Sequence, residues 1–440
     1  MAKLDFDIVK ITISGEFFGP NFVKGLADQT DSYEVVSKKE AKLTFSGGFV
    51  SSTTYVLKVS GTGFGYDEDT GRYTGRVDGF TAHEKGNSEN AWTFKGLNTS
   101  LDTMNSNASA RGVTFPDLLN EPLRYDYRGG AYSDVYILGP FNDIATGRGG
   151  DDIFDGLTGR DLISGNRGND TLRGDEGRDT IFGGEGDDVI EGGSQSDRLH
   201  GDRGADSISG NRDDDKIYGG RGKDTIDGGN GSDRIKGQRG EDNLSGAAGS
   251  DDIYGGASDD VVQGGGGDDY IEGNDGDDTL RGSDGSDTVR GGEGDDHIRG
   301  GDGTNILSGG EGDDNIRGGD GTDELFGNRG RDILDSGLAG DFLVGGKGRD
   351  TLTANGGTDG DKAPDSFVFG DDFGHDVITD FEIGFDSVLF TNEVDKKDVS
   401  SVAIGDDVLV TVDTGSGDVP TIRLLGVADR FDEDIDIGFL

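Results

Sequence analysis

From Gly147 to Thr353 the chain repeats every nine residues without an insertion, and this period decides what it can fold into. The unit Gly183-Gly184-Glu185-Gly186-Asp187-Asp188-Val189-Ile190-Glu191 shows the rule: glycine at slots one, two and four, aspartate at slot six, an aliphatic residue at slot eight. Slot six reads Asp152, Asp161, Asp170, Asp179, Asp188, Asp197, Asp206, Asp215, Asp224, Asp233, Asp242, Asp251, Asp260, Asp269, Asp278, Asp287 and Asp296. Asn305 interrupts it once, and Asp314, Asp323, Asp332, Asp341 and Asp350 resume it. Slot eight runs from Ile163, Leu172, Ile181 and Ile190 to Leu352 with Leu, Ile or Val throughout.

These repeats resemble the RTX family of hemolysin-type calcium-binding proteins, and the resemblance implies a parallel β-roll that holds calcium. The residues lead to the same expectation. Slots one to six are Gly-rich and acidic, so the backbone can take left-handed conformations and turn its carbonyls toward a common point. Slots seven to nine are expected to form a three-residue strand, with only slot eight pointing inward because strand side chains alternate faces. Two nonads make one coil and residues eighteen apart stack, giving about 11.5 coils at a strand spacing of ~4.8 Å.

One aliphatic side chain in nine residues is too little apolar burial to offset the entropy of ordering such a chain. Something must therefore bind the folded state. Stacked carboxylates and turn carbonyls offer hard oxygen ligands and neither nitrogen nor sulfur, which suits Ca²⁺. The slot-six aspartates are the candidate ligands, folding is expected to require the metal, and the metal-free repeats are expected to be disordered. Sites are expected to weaken where Gln195, Asp213, Ser258 and Ala339 replace the slot-four glycine, and at Asn305.

The net charge of −48 argues against nucleic acid or an anionic membrane as partner. With no cysteine the chain has neither disulfides nor thiolate chemistry. No run of about 18 apolar residues is present, and Met1 to Phe6 lacks the basic and apolar regions of a secretory leader, so no transmembrane segment is expected, which leaves cytoplasmic residence or export by a signal elsewhere.

Four regions follow. Residues 1–130 read as a small antiparallel β domain, from β-rich runs at Ile8–Ile13, Lys42–Phe45, Tyr55–Val59, Gly79–His83 and Trp92–Lys95 separated by turn residues. A linker or short helix is expected around Phe115 to Leu123. Residues 131–146 read as linker and first irregular coil, in which Ala145 holds slot eight. Residues 147–353 are the roll. Residues 354–440, where the period fails at Asp361 and Pro364, resemble the C-terminal β cap of serralysin-type and hemolysin-type proteins. Strands are expected near Val408–Val412 and Thr421–Leu425. The tail Asp434-Ile435-Asp436-Ile437-Gly438-Phe439-Leu440 resembles the family's type I secretion signal. The fold expected overall is all-β, a parallel β-roll flanked by an N-terminal antiparallel β domain and a C-terminal β cap.

Catalysis is not expected. His83-Glu84-Lys85-Gly86-Asn87 is not a His-Glu-x-x-His zinc motif, and no Gly-x-Ser-x-Gly elbow occurs. An unrecognised active site in the N-terminal domain, with His83 near Asp67, Glu68, Asp69 and Glu84, is the alternative. Beyond calcium, one outer face of the roll carries Arg198/His200, Lys216/Tyr218 and Arg234/Lys236 at slots seven and nine of successive rungs. Such a ladder could bind an acidic polysaccharide or a cell surface, or its cations could merely offset neighbouring aspartates. The whole reads as a secreted, extracellular calcium-binding protein of structural or adhesive kind, exported by a type I apparatus.

Overall fold

The computed structural model describes residues 126–354, 363–370, 373–391, 394–413, 419–427 and 437–440, together with four N-terminal strands as backbone. The chain divides into two compact units, Met1–Arg198 and Leu199–Leu440. Among the described residues there is no α-helix, only strands and one short 3-10 turn at Lys396–Asp398.

In the first unit, β1 (Glu40–Ser46), β2 (Thr54–Asp67), β3 (Arg72–Glu84) and β4 (Ala91–Ser100) form an antiparallel sheet in the order β1-β2-β3-β4. The glycines at 61, 65 and 79 sit where the register shifts, as expected where a missing side chain lets a strand bulge. The expected strand at Ile8–Ile13 and the segment Phe115–Leu123 lie outside the described residues.

Parallel coiling begins at Asp126–Arg128, which pairs with Ile144–Thr146, which pairs in turn with Leu162–Arg167. On the facing sheet Val135–Ile137 pairs with Ile153–Asp155, and that strand with Thr171–Gly177. Coiling therefore starts earlier than the glycine count suggests, because Asp134 and Asp143 keep slot six and Tyr127, Tyr136 and Ala145 keep slot eight. Rings fill these first coils: Tyr136 stacks on Phe154 at 5.1 Å and tilts against Tyr127 at 5.6 Å. The small Ala145 sits in the facing column, where volume is conserved across the core.

In the second unit the register stays at eighteen residues, with Ile217 opposite Ile235, Ile235 opposite Ile253 and Leu325 opposite Leu343. The slot-eight residues from Ile163 to Leu352 are at most 2% exposed. One expectation needs correction. The strands are six residues long, as in Lys216–Arg221, rather than three. Pairing continues past slot nine into slots two and three, with Gly220 opposite Gln238 and Arg221 opposite Arg239. Slot-one glycine turns inward without filling space, so the strand passes the corner still extended. Alternation then makes slots six, eight and one all inward-facing, so the aspartates lie inside the coil wall.

After Thr353 the stacking goes on with insertions. Ser366 pairs with Phe342, Val377 with Thr351 and Ser387 with Ser366. Val399–Ile404, Asp407–Val412 and Thr421–Leu424 form an antiparallel set whose last strand also lies parallel to His375–Ile378. Phe369, Phe373 and Phe390 cluster with centroids 5.1 to 6.3 Å apart, and Phe439 joins Phe390 at 5.7 Å. The tail strand Ile437–Phe439 pairs parallel to Val388–Phe390. Asp434 to Asp436 lie outside the described residues. The two units together carry about 14 turns.

Candidate metal centre

All twenty-two slot-six aspartates are buried, none more than 4% exposed. Their arrangement follows from bookkeeping of the backbone. The slot-six carbonyl accepts from slot seven of the next coil, as Asp260 does from the Thr279 N–H at 2.8 Å. The slot-six N–H donates to the aspartate side chain of the next coil: Asp224 to Asp242 Oδ1 at 2.8 Å, Asp242 to Asp260 Oδ1 at 2.8 Å and Asp260 to Asp278 Oδ1 at 2.7 Å. Both backbone groups are thus satisfied, as buried ones must be. That uses one carboxylate oxygen.

The second oxygen is left over. Oδ2 of Asp152, Asp170, Asp242, Asp260, Asp278 and Asp314, among others in the rows, is buried with no hydrogen-bond partner. A cradle surrounds it. An ideal Cβ placed on Gly255 would lie 2.5 Å from Asp260 Oδ2 and 2.8 Å from the Gly273 carbonyl oxygen. Glycine at slot one is therefore needed for space, and the space is lined by oxygen. Among the described residues no three acidic or histidine side chains converge on one point. The donor set is one carboxylate per turn with main-chain carbonyls, which fits a hard cation such as Ca²⁺ and not a histidine- or thiolate-bound metal.

Electrostatics point the same way. Desolvation pushes the carboxyls well above their ordinary value, Asp152, Asp242, Asp260, Asp269 and Asp296 to about 7 and Asp161 to about 8, against the lowering effect of the backbone donor. Neighbouring aspartates in the same row raise them further, as Asp242 and Asp278 do for Asp260. A divalent cation relieves both effects.

The turns hold their shape by left-handed residues at slots two and four. Glycines at slot four lie between Gly150 at φ 97° and Gly177 at φ 158°, whereas Gln195, Asp213, Ser258 and Ala339 hold 73°, 68°, 88° and 87°. Asn305 breaks the row differently. Its Oδ1 accepts from Asp287 as an aspartate would, while its Nδ2 donates to Asp323 Oδ1 at 3.0 Å and so puts a donor where the other turns offer an acceptor.

Several residues of the rows carry no glycine signature. Asp143, Asp365, Asp376 and Asp386 extend them, each accepting the N–H of its predecessor or donating to its successor, and burial pushes Asp376 to about 8. The signal was the pair Asp-x-apolar, in Asp365-Ser366-Phe367, Asp376-Val377-Ile378 and Asp386-Ser387-Val388. Slot five was also missed. There the N–H donates backward, Asp277 to Asp259 Oδ1 at 3.0 Å and Asp295 to Asp277 Oδ1 at 2.9 Å, so the outer aspartates cap turns.

With this geometry in view, matches to the family described as RTX calcium-binding nonapeptide repeat cover residues 128–359, more than half of the 440-residue chain. The chain belongs to that family. Its RTX repeats bind Ca²⁺ in multiple copies. Extracellular lipase LipA from Serratia marcescens is similar in structure at 22% identity and a TM-score of 0.23, over 43% of this chain and 40% of the lipase. The chain thus spans about two fifths of the lipase's length. The AlgE6R3 subunit of the Azotobacter vinelandii mannuronan C5-epimerase is similar at 22% identity and a TM-score of 0.14, over 42% of this chain and 79% of the subunit. No curated protein matches the chain in sequence.

Two other candidate sites complete the picture. In the second unit, His200 stacks on Tyr218 at 4.7 Å, Lys216 is opposite Arg234, and Tyr218 opposite Lys236. Arg234 is engaged by Asp252, its Nε donating at 3.2 Å, and Lys236 lies 4.8 Å over the Tyr254 ring. Arg198 ends the first unit and is exposed. In the N-terminal sheet the hairpin register puts His83 opposite Val56 and Asp67 opposite Arg72. The eleven steps from Val56 to Asp67 span about 36 Å of extended chain, so the hairpin register holds positions 83 and 67 apart. Among the described residues no helix is long and apolar enough to cross a membrane.

Proposed function

We propose that this RTX protein is a secreted structural or adhesive module whose roll is assembled by extracellular calcium after export through a type I apparatus. The observation that carries the reading is the set of buried Oδ2 atoms without partners, such as those of Asp152, Asp170, Asp242 and Asp260, each beside the cradle of a slot-one glycine. Without a cation these atoms desolvate charge for no return, and a chain of net charge −48 repels itself. At submicromolar cytosolic calcium the repeats stay unfolded and can thread an export channel. At millimolar calcium, in the ~10⁻⁴ to 10⁻³ M range of extracellular modules, slot-six carboxylates and slot-one carbonyls hold the ions and the coils close. The ion supplies charge neutralisation; the chain supplies the oxygen-lined turns.

A calcium titration followed by circular dichroism, with magnesium as control, tests this. The expected result is a cooperative gain of β signal near millimolar calcium, reversed by chelator. A full β signal after exhaustive chelation would overturn it.

A second reading concerns surface contacts. Lys216 makes no ion pair among the described residues and lies beside the stacked His200 and Tyr218, which supports a polyanion-binding role for this face, with acidic polysaccharide as the ligand class. Binding of an alginate-like polymer should weaken in the combined Arg198→Ala, Lys216→Ala and Arg234→Ala variant; unchanged binding disposes of the role.

A further inference from the structure

Because the strands run past slot nine, slot three ends each strand of one sheet and forms a column along one edge of the second unit. Arg203, Arg221 and Arg239 occupy three successive rungs, with the Gly204 N–H donating to the Arg221 carbonyl and the Gly222 N–H to the Arg239 carbonyl, both at 2.9 Å. Ala257 occupies the next. Asp275, Glu293 and Glu311 occupy the three after that, each opposite its neighbour in the ladder. All six charged residues are exposed. Over these seven rungs, about 4.8 Å apart, the column reads three positive, one neutral, three negative, and Arg329 and Lys347 follow.

Like charges stacked on adjacent rungs are unfavourable within one copy. Among the described residues Arg221, Arg239, Asp275 and Glu293 make no ion pair that would relieve this, although Glu311 takes Arg329 from the next rung. A half-turn about an axis through Ala257, perpendicular to the column, reverses its order. It brings Arg239 onto Asp275, Arg221 onto Glu293 and Arg203 onto Glu311, each pair occurring twice. In this column the residue that must face itself is the small, uncharged Ala257. On the opposite edge the same slot reads Arg212, Asn230, Ala248, Gly266, Asp284, Asp302 and Asp320, with one cation against three acids and no such self-complementarity.

We infer that the calcium-folded protein associates with a second copy of itself through this edge, as an antiparallel, two-fold symmetric pair centred on Ala257. A closed interface of this type uses one patch on both copies, so every substitution is felt twice. The contact is electrostatic and at the surface, so it is weak and screened by salt. Beside the column Lys223, paired with Glu241 within its own copy at 3.4 Å, meets Asp295 favourably, whereas Glu241 meets Asp277 and the exposed Asp259 meets its own counterpart with like charge, which keeps the pair reversible.

Sedimentation velocity of the full chain in millimolar calcium, at low and at high salt, reads the association, with circular dichroism on the same samples confirming the calcium-induced β signal. Wild type is expected to form dimers at low salt and to dissociate at high salt. Arg221→Glu and Glu293→Arg alone should each weaken the dimer by about tenfold or more, because two attractive contacts become repulsive. Mixing the two single variants should restore association, since every contact along the column is again attractive in the mixed pair. Arg239→Glu mixed with Asp275→Arg repeats the test should one of the first pair fail to fold. A wild type that stays monomeric while fully folded, single variants that associate like wild type, or a mixture that does not recover would each overturn the inference.

Discussion

The turn Gly255–Asp260 and the turn that closes at Asp386 use the same carboxylate in different ways. In both, Oδ1 accepts the N–H of the preceding row member, Asp242 at 2.8 Å for Asp260 and Asp365 at 3.1 Å for Asp386. At Asp386 the second oxygen accepts the Glu382 N–H at 2.6 Å, whereas at Asp260 it has no partner. Near the other end of the rows Asp143 behaves like Asp386, its Oδ2 accepting from Gly139 at 2.9 Å. The chain thus satisfies the second carboxylate oxygen itself at Asp143 and Asp386, whereas at Asp260, and at Asp376 among the inserted turns, that oxygen is left to a cation. At Asp386 an inserted turn brings the extra N–H around; at Asp143 the donor is the Gly139 N–H four residues upstream, in a coil that keeps the eighteen-residue register.

Withdrawing calcium should break this contrast most visibly. With chelator present, amide hydrogen exchange is expected to lose protection throughout residues 147–353, because no interior turn can neutralise its aspartate. Protection that survives in the regular coils while the insertions exchange would reverse the assignment.

Single substitutions sharpen it. Asp386→Ala strands two N–H groups and should destabilise by about 2 to 4 kcal/mol with or without calcium, leaving the number of bound ions unchanged. Asp260→Ala should lose an ion and destabilise mainly when calcium is present; without metal the Asp242 N–H it strands offsets the deletion of a buried charge, so the change should be small. Gly255→Ala should imitate Asp260→Ala in the calcium-bound state, its Cβ entering the cradle. Calcium stoichiometry with denaturant melts separates these outcomes; equal loss of ions at Asp386 and Asp260 would remove the distinction.

Much of this was legible in the period alone. Slot six named every interior carboxylate and slot eight the core, because each position meets the same neighbours in every coil. Direction was harder to read. The aspartates face inward because slots six, eight and one alternate along a six-residue strand, and nothing in the glycine pattern says that the strand continues past slot nine. That same extension hid Arg203, Arg221 and Arg239, which belong to the turn in sequence and to the sheet in space. Asp365, Asp376 and Asp386 escaped because insertions of varying length destroy a count but not a stack. The N-terminal strands followed from alternation and turn residues, yet their register, which parts His83 from Asp67, depends on bulges at Gly61 and Gly65 that composition does not locate.

Acid should act on the metal-free chain in a direction opposite to ordinary acid denaturation. Burial raises the folded-state values of Asp152, Asp260 and Asp296 to about 7 from an unfolded value of about 4. Between those limits the folded form binds more protons than the unfolded, so stability falls as pH rises. The penalty is absent below about 4 and complete above about 7. Lowering the pH from about 8 to about 5 without calcium should therefore increase the β signal. With calcium bound, protons compete for the same oxygens, so the calcium concentration needed for folding should rise as pH falls. A metal-free chain indifferent to pH in this window would mean that the interior carboxylates are not desolvated.

The smallest effect is expected at slot four, and its value lies in which quantity moves. Ser258 holds φ at 88° where the glycines one coil away, Gly240 and Gly276, hold 127° and 131°, so this turn is drawn toward the left-handed region that a side chain tolerates. Ser258→Gly frees the turn to match its neighbours and re-aim its carbonyl. The same change loosens the unfolded chain by about 0.5 to 1 kcal/mol, which offsets the relief of strain. Thermal stability at one fixed calcium concentration that folds both proteins should hence stay within about 1 kcal/mol of wild type, while the affinity of the Asp260 turn for calcium rises a few-fold. Isothermal titration against the wild type distinguishes this from a purely structural role, in which stability would move and calcium affinity would not.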